Sequence, residues 1–306
     1  EGYAASFGDL ADVRSVEGKG LGVVARRRIQ RGERVLAETP VLEFEWVPEF
    51  EDFWESGGEV PPALEAHLRD MVGSRDAREQ ELFWGLCDHY RSGSACGICL
   101  TNAVPGGGDG GTGALCLLGS RFNHSCVPNV NHTWHDAGKE YTWHAMRDIE
   151  PGEELTIFYT TDLLFDDTDG RKTSLQHRFL FDCGCSACSA PGEARRSSDA
   201  RRLEMRRLDF EVQRAACRAR RGSHTLPRLQ RARSRPGAPM AEALGAAEQL
   251  AVLVDEELGG NAWVKSGVLY ASFELARAMG DGGRAASFLR RAREAALCAE
   301  GPRSRL

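Results

Sequence analysis

The chain has 306 residues, 42% of them hydrophobic, and a formal net charge of −6, which is enough for a principal domain of up to about 200 residues and a smaller one. No run approaches the ~20 apolar residues of a membrane span, and the first residues lack the basic, apolar and small-residue succession of a secretory signal, so a soluble protein of the nucleus or cytoplasm, with no membrane partner, is expected. The charge is uneven: residues 1–190 hold 17 Lys and Arg against 31 Asp and Glu, a net −14, while 191–306 hold 22 against 14, a net +8, and an acidic front half attracts basic peptides.

In chain order, Gly18 to Ala25, Ile29, Gly32-Glu33 and Val35 to Glu38 predict short strands broken by glycine turns. From Trp46 to Tyr90 the apolar residues Phe50, Phe53, Trp54, Leu64, Leu68, Met71, Leu82, Phe83 and Leu86 recur at helical spacing, which predicts a helical insertion in a β domain. Residues 105–113 hold six glycines and predict a flexible surface loop. Apolar Leu115 to Leu118 precede Asn123-His124-Ser125-Cys126-Val127-Pro128-Asn129, which is irregular through Pro128. Tyr141 to Met146 and Glu154 to Tyr159 predict strands on either side of the turn Glu150-Pro151-Gly152, and 162–180 is polar and helix-compatible.

Between Arg195 and Arg235 stand 14 arginines against 4 acids, with Leu203, Met205 and Leu208 as apolar anchors, predicting a basic helix that runs into a linker ending at Pro236-Gly237. The alanine-rich tail, with turns at Gly259-Gly260 and Gly280 to Gly283, predicts two or three amphipathic helices in a small helical-repeat domain.

Cys183, Cys185 and Cys188 place three thiols within six residues, a spacing that suits one tetrahedral zinc held by four ligands. The fourth must come from elsewhere, and Cys126 is the best candidate. A redox pair or buried apolar cysteines are the bland alternatives.

Asn123-His124-Ser125-Cys126 with Pro128-Asn129, then Gly152-Glu153-Glu154-Leu155 and Tyr159, then Cys-x-Cys-x-x-Cys, resembles the SET-domain protein lysine methyltransferases, in particular the SET and MYND subgroup and fungal-type relatives without the MYND finger. The resemblance covers residues 17–44 and 96–190. It implies a pseudoknot that sets the cofactor S-adenosyl-L-methionine beside a catalytic tyrosine, here Tyr159. It also implies a cofactor loop at Lys19-Gly20-Leu21-Gly22, a cofactor-facing strand Ile98 to Ala103 carrying Asn102, contacts from Asn123 and, through backbone, His124, and an adenine-stacking aromatic at Phe181. Tyr159 is at once catalytic and cofactor-facing. Where the MYND ligands would lie, the insertion offers His67, Cys87 and His89; with Cys96 and Cys99, the pair Cys87 and His89 nominally make a second metal site. Thr160 and Thr161 stand where some of these enzymes carry a second tyrosine.

The expected fold is α+β: a β-rich SET domain over 1–181 with its insertion at about 46–95, a zinc motif at 182–192 that follows the SET domain, a basic helix and linker at 193–240, and an all-helical domain resembling tetratricopeptide repeats at 241–306. The expected cofactors are S-adenosyl-L-methionine and Zn2+, and the expected partner is a protein presenting a lysine, such as a histone tail. Nucleic acid is the less favoured partner, because dispersed arginines suit a solvated helix face. A non-catalytic SET scaffold that binds peptides or proteins is the alternative reading.

Overall fold

The computed structural model describes residues 5–50, 60–106, 111–225, 237–304 and 306. Its front half is built on three small sheets. Strands β1 (Ala11–Val16) and β2 (Gly20–Ala25) form an antiparallel hairpin, in which Gly20 takes a positive φ of 77° that glycine adopts without strain. β3 (Arg34–Glu38) and β4 (Leu42–Glu45) follow.

Among the described residues, the insertion carries helices α1 (Pro62–Gly73) and α2 (Ala77–Trp84), followed by α3 (Ala95–Asn102). α1 buries Leu64, Leu68 and Val72, four residues apart along one face. α2 opens on a capping box between Asp76 and Glu79. Phe53 and Trp54 lie outside the described residues.

Two expectations fail here. Ile98 to Ala103 is not a strand, because Ser94 caps Gly97 N and starts a helix whose first five residues are all buried, so no periodicity marks it. The glycine-rich stretch is not wholly loop: Val104–Gly106 (β5) pairs with Thr112–Leu115 (β6), and β6 pairs in turn with β4, bringing Pro105, Gly106, Thr112 and Gly113 into a sheet. Gly113 fits there because a Cβ would fall 2.6 Å from the Phe44 ring.

β7 is only Asn123–His124, followed by β8 (Val130–His135), β9 (Glu140–Ala145) and β10 (Glu154–Ile157). The sheets run β1-β2-β10-β7, β3-β9-β8 and β4-β6-β5. β10 pairs antiparallel with β2 and parallel with β7, Thr156 opposite Asn123 and Ile157 opposite His124. Buried Asn129 braces this crossing: its Oδ1 accepts from Thr156 N at 2.8 Å and its Nδ2 donates to Glu154 O at 2.8 Å. The motif read in the sequence as irregular thus ties two remote segments together.

Helix α4 (Thr168–Phe179) is capped by Asp167, and among the described residues four longer helices follow: α5 (Gly192–Thr225), α6 (Gly237–Glu257), α7 (Ala262–Ala278) and α8 (Gly282–Glu300). Met205, Leu208 and Val212 of α5 pack with Leu244, Leu250 and Leu275 in one core, and Leu164, Phe158 and Phe165 from the segment after β10 join it. Leu203 is no anchor: it is 46% exposed, on the opposite side of α5 from Met205. The first six arginines of α5 are all paired within the chain, as Arg195–Asp169, Arg196–Glu193, Arg201–Glu257, Arg202–Glu257, Arg206–Asp166 and Arg207–Glu204. α8 closes against the β8–β9 sheet, where Asn131 Nδ2 donates to Ala299 O at 3.1 Å. No helix among the described residues is long and apolar enough to cross a membrane.

Candidate active site and metal centre

A cavity of about 290 Å³ opens where the β1–β2 turn, the end of β10, the insertion and β7 converge. It gathers Lys19, Gly20, Leu21, Asn102, Asn123 and Tyr159, six residues that the sequence proposed from four separate segments. Arg121, Phe122, Phe158 and Phe179 complete much of the wall.

The Lys19 loop is held down by charge and by amide geometry. Lys19 Nζ pairs with Glu154 Oε2 at 2.6 Å, and Asn123 Nδ2 donates to Glu154 Oε1 at 2.9 Å and to Leu21 O at 3.1 Å. Both amide protons of Asn123 are therefore used, leaving its Oδ1 as an acceptor. Gly22 does not line the cavity. A Cβ there would fall 2.6 Å from Asn123 Nδ2 and 3.0 Å from Glu154 Oε1, so glycine is what lets this cluster close.

Tyr159 lies just past the end of β10. Its hydroxyl donates to Phe122 O at 3.2 Å, which leaves the phenol oxygen free to accept. Burial, then the neighbouring Cys87 and Glu154, raises its pKa, so the phenol stays neutral at physiological pH. Asn102 spends its side chain within the insertion, donating to Cys87 O and Ile98 O at 2.7 Å each. Phe181 lies outside the cavity lining; its ring meets Tyr159 edge-on at 6.1 Å and packs with the cysteine cluster. His124 is likewise behind the wall, 4% exposed, and burial pulls its imidazole down to about 4, so the ring is neutral.

Sequence reasoning passed over Arg121, although it stands two residues before Asn123. It is half-buried, its Nη2 donates to Gly85 O at 3.0 Å, and among the described residues it has no carboxylate partner. Burial lowers its pKa, as expected for a cation lacking a counterion. Phe179, 5.3 Å from the Tyr159 ring, was also missed; its only signal was its place two residues before Phe181.

Cys126, Cys183, Cys185 and Cys188 are all buried, with their four sulfurs within 4.8 Å of one another. Four thiolates about 2.3 Å from one tetrahedral zinc have sulfurs about 3.8 Å apart, and Cys126 Sγ lies 3.6 Å from Cys188 Sγ and 4.0 Å from Cys183 Sγ. Crowding lifts the Cys126 thiol and depresses Cys185, since four packed sulfurs cannot all ionise without a cation. The surroundings fit a charged centre. Arg171 is fully buried, with Nη2 3.6 Å from Cys188 Sγ and an Nε that finds no hydrogen-bond partner. Burial works against its charge, and Cys126 and Cys188 more than offset this. Zinc with four thiolates carries net charge −2, half of which such a guanidinium offsets. Cys87 and His89 open instead into the cavity, Sγ to Nδ1 at 3.8 Å, while Cys96 and Cys99 are buried in the insertion core. Those four therefore do not meet.

Residues 20–160 match the family described as SET domain. Those residues, just under half of the chain, thus carry the SET-domain pattern. Its relatives include the histone-lysine N-methyltransferase set5 of Schizosaccharomyces pombe, 34% identical over 204 residues that cover 66% of this chain and 57% of that protein. The human histone-lysine N-methyltransferase SMYD3 is 42% identical over 69 residues, 22% of this chain and 15% of that one. The chain spans little more than half the length of set5 and less of SMYD3. Among solved structures, Rubisco LSMT bound to AdoMet covers 97% of this chain and 86% of its own, at 12% identity and a TM-score of 0.35.

Proposed function

We propose that the chain is a protein-lysine N-methyltransferase, transferring the methyl group of S-adenosyl-L-methionine to a lysine side chain, with zinc held by Cys126, Cys183, Cys185 and Cys188. The observation that carries this is the Tyr159 hydroxyl at the wall of the cavity, its proton committed to Phe122 O and its oxygen open to accept from an amine. The relatives named histone-lysine N-methyltransferase support the same reading.

When bound, S-adenosyl-L-methionine supplies an electrophilic methyl on a sulfonium. The protein's part is alignment. Tyr159 orients the attacking amine, and the aromatic rings of Phe122, Phe158 and Phe179 exclude water from its path. A neutral phenol is no base, so the lysine gives up its proton before it enters. Arg121 offers a guanidinium suited to the carboxylate end of the cofactor, and Asn123 Oδ1 offers an acceptor suited to its amino group. Lys19, Gly20 and Leu21 form the loop beside them, with Gly22 allowing it to seat, while Asn102, His124 and Phe181 support the wall. The acidic front half favours a lysine in a basic stretch, such as a histone tail or a similarly charged segment of another protein, in the nucleus or cytoplasm.

Transfer of radiolabelled methyl from S-adenosyl-L-methionine to a panel of proteins and basic peptides, with Tyr159→Phe beside the wild type, tests the proposal. Label on lysine that falls about a hundredfold in the variant is expected, the scale on which removing one aligned catalytic hydroxyl acts. Cofactor and peptide binding without any transfer would identify a scaffold instead.

A further inference from the structure

β10 ends at Ile157, so the backbone N–H of Tyr159 lies beyond the ladder and needs another acceptor. It finds one in a side chain, donating to His124 Nδ1 at 3.2 Å. A backbone N–H can only donate, so Nδ1 is the bare nitrogen and the ring proton sits on Nε2. Nε2 lies 3.4 Å from Cys126 Sγ. The ring thus accepts from Tyr159 on one side and donates to a sulfur of the cysteine cluster on the other, and at 4% exposure it has no access to water as a substitute partner for either.

We infer that His124 is the positioning residue through which the metal centre fixes the backbone of Tyr159. The inference rests on the proposed zinc site and the proposed role of Tyr159, and adds the link between them. It gives the imidazole ring a task distinct from any contact the His124 backbone makes with cofactor. An N–H directed at a metal-bound thiolate draws electron density from the sulfur and holds the ligand in orientation; outer contacts of this kind are worth about 10–100-fold in metal affinity. The same bond holds the ring, and the ring holds the amide at the end of β10. Loss of metal frees the sulfur, then the imidazole, then Tyr159.

The tautomer is a direct test on the unmodified protein. Long-range proton–nitrogen correlation in zinc-loaded protein with 15N-histidine is expected to show His124 protonated at Nε2; a proton on Nδ1 overturns the inference. Two variants then separate the arms. His124→Asn puts an amide oxygen where Nδ1 stood and keeps an acceptor for Tyr159, whereas His124→Gln reaches toward Cys126 and gives up Tyr159. Zinc transfer to a chromogenic chelator is expected to be at least about tenfold faster in the Asn variant than in the Gln variant. Exchange of the Tyr159 amide, followed with 15N-tyrosine, is expected to quicken about tenfold in the Gln variant but not in the Asn variant. Indistinguishable behaviour of the two on both readouts would reduce His124 to packing. Neither readout involves methyl transfer, so a protein that shows the bridge but transfers nothing refutes the proposed activity alone.

Discussion

Arg202, 76 positions along the chain from Cys126, donates from Nη2 to the carbonyl oxygen of that cysteine at 3.0 Å. The same guanidinium donates from Nε to Glu257 Oε1 at 2.8 Å and from Nη1 to Leu164 O at 2.8 Å, and it is wholly buried. The C-terminal helices are thereby fastened to the cysteine cluster by a charged group that has no water to fall back on.

Removing Arg202 takes a donor from Cys126 O, Leu164 O and Glu257 Oε1 while Arg201 and Ser198 still hold Glu257, and breaking one side of a buried ionic cluster costs up to about 3–5 kcal/mol, whereas replacing a buried pair with apolar residues costs far less. Arg202→Met is therefore expected to lower unfolding stability by an amount on that scale, partly relieved by adding Glu257→Leu. Urea titrations of the single and double variants check this; a single variant within about 0.5 kcal/mol of wild type, the range of an ordinary surface change, contradicts it.

Arg121→Met should weaken S-adenosylhomocysteine binding, measured by calorimetry, by about tenfold or more, since a charge-assisted hydrogen bond contributes about 1.5–3 kcal/mol. Blocking the carboxylate of the cofactor analogue should weaken binding in the wild type and make little further difference in this variant. Unchanged affinity would place the carboxylate elsewhere in the cavity.

Native mass spectrometry should find one zinc per chain, and Cys126→Ser should lose it more readily than any outer-contact variant, whose effect is about 10–100-fold. Chelation should expose residues 181–188 to limited proteolysis and abolish methyl transfer together. Full activity after verified removal of the metal would separate the centre from the active site.

Burial, with Arg34 and His135 adding to it, pulls His144 from 6.5 down to about 4. Between those values the unfolded chain binds the proton that the folded chain refuses, so stability is whole above about pH 6.5 and is lost as pH falls toward 4. The loss reaches roughly 3 kcal/mol at 1.36 kcal/mol per pKa unit. Urea midpoints measured from pH 7 to 4 should fall less steeply in His144→Leu than in wild type; parallel curves would assign the acid lability to other groups.

The residues legible in the sequence were those in short dense motifs. Asn123, Tyr159 and the four cysteines could be placed because each motif is local and their order along the chain is specific. The helix Ala95–Asn102 was misread because its first five residues are all buried and so show no 3.6-residue period. Strand Val130–His135 was not picked out because it alternates polar and aromatic residues, and its His132 stacks with Trp143 rather than facing a purely apolar core. Arg171 and Arg202 were illegible for a different reason. Each looks like one more surface arginine of a polar helix, and only tertiary packing reveals that both are fully buried beside the cysteine cluster. The same packing explains Leu203 in reverse, since one face of a long helix can carry only so many anchors.

The parallel pairing of Asn123-His124 with Thr156-Ile157 has a consequence for biosynthesis. A nascent chain that has emerged through β10 can close its sheets, but the sulfurs that complete the cluster come some thirty residues later, and Glu257, which neutralises Arg202, later still. Closing contacts over such separations is slow compared with forming local helices. Through β10 the chain thus holds only Cys126 of the four clustered cysteines; the cluster is completed within the front half at Cys188, and the helical half is fastened to it through Arg202 only once Glu257 has emerged.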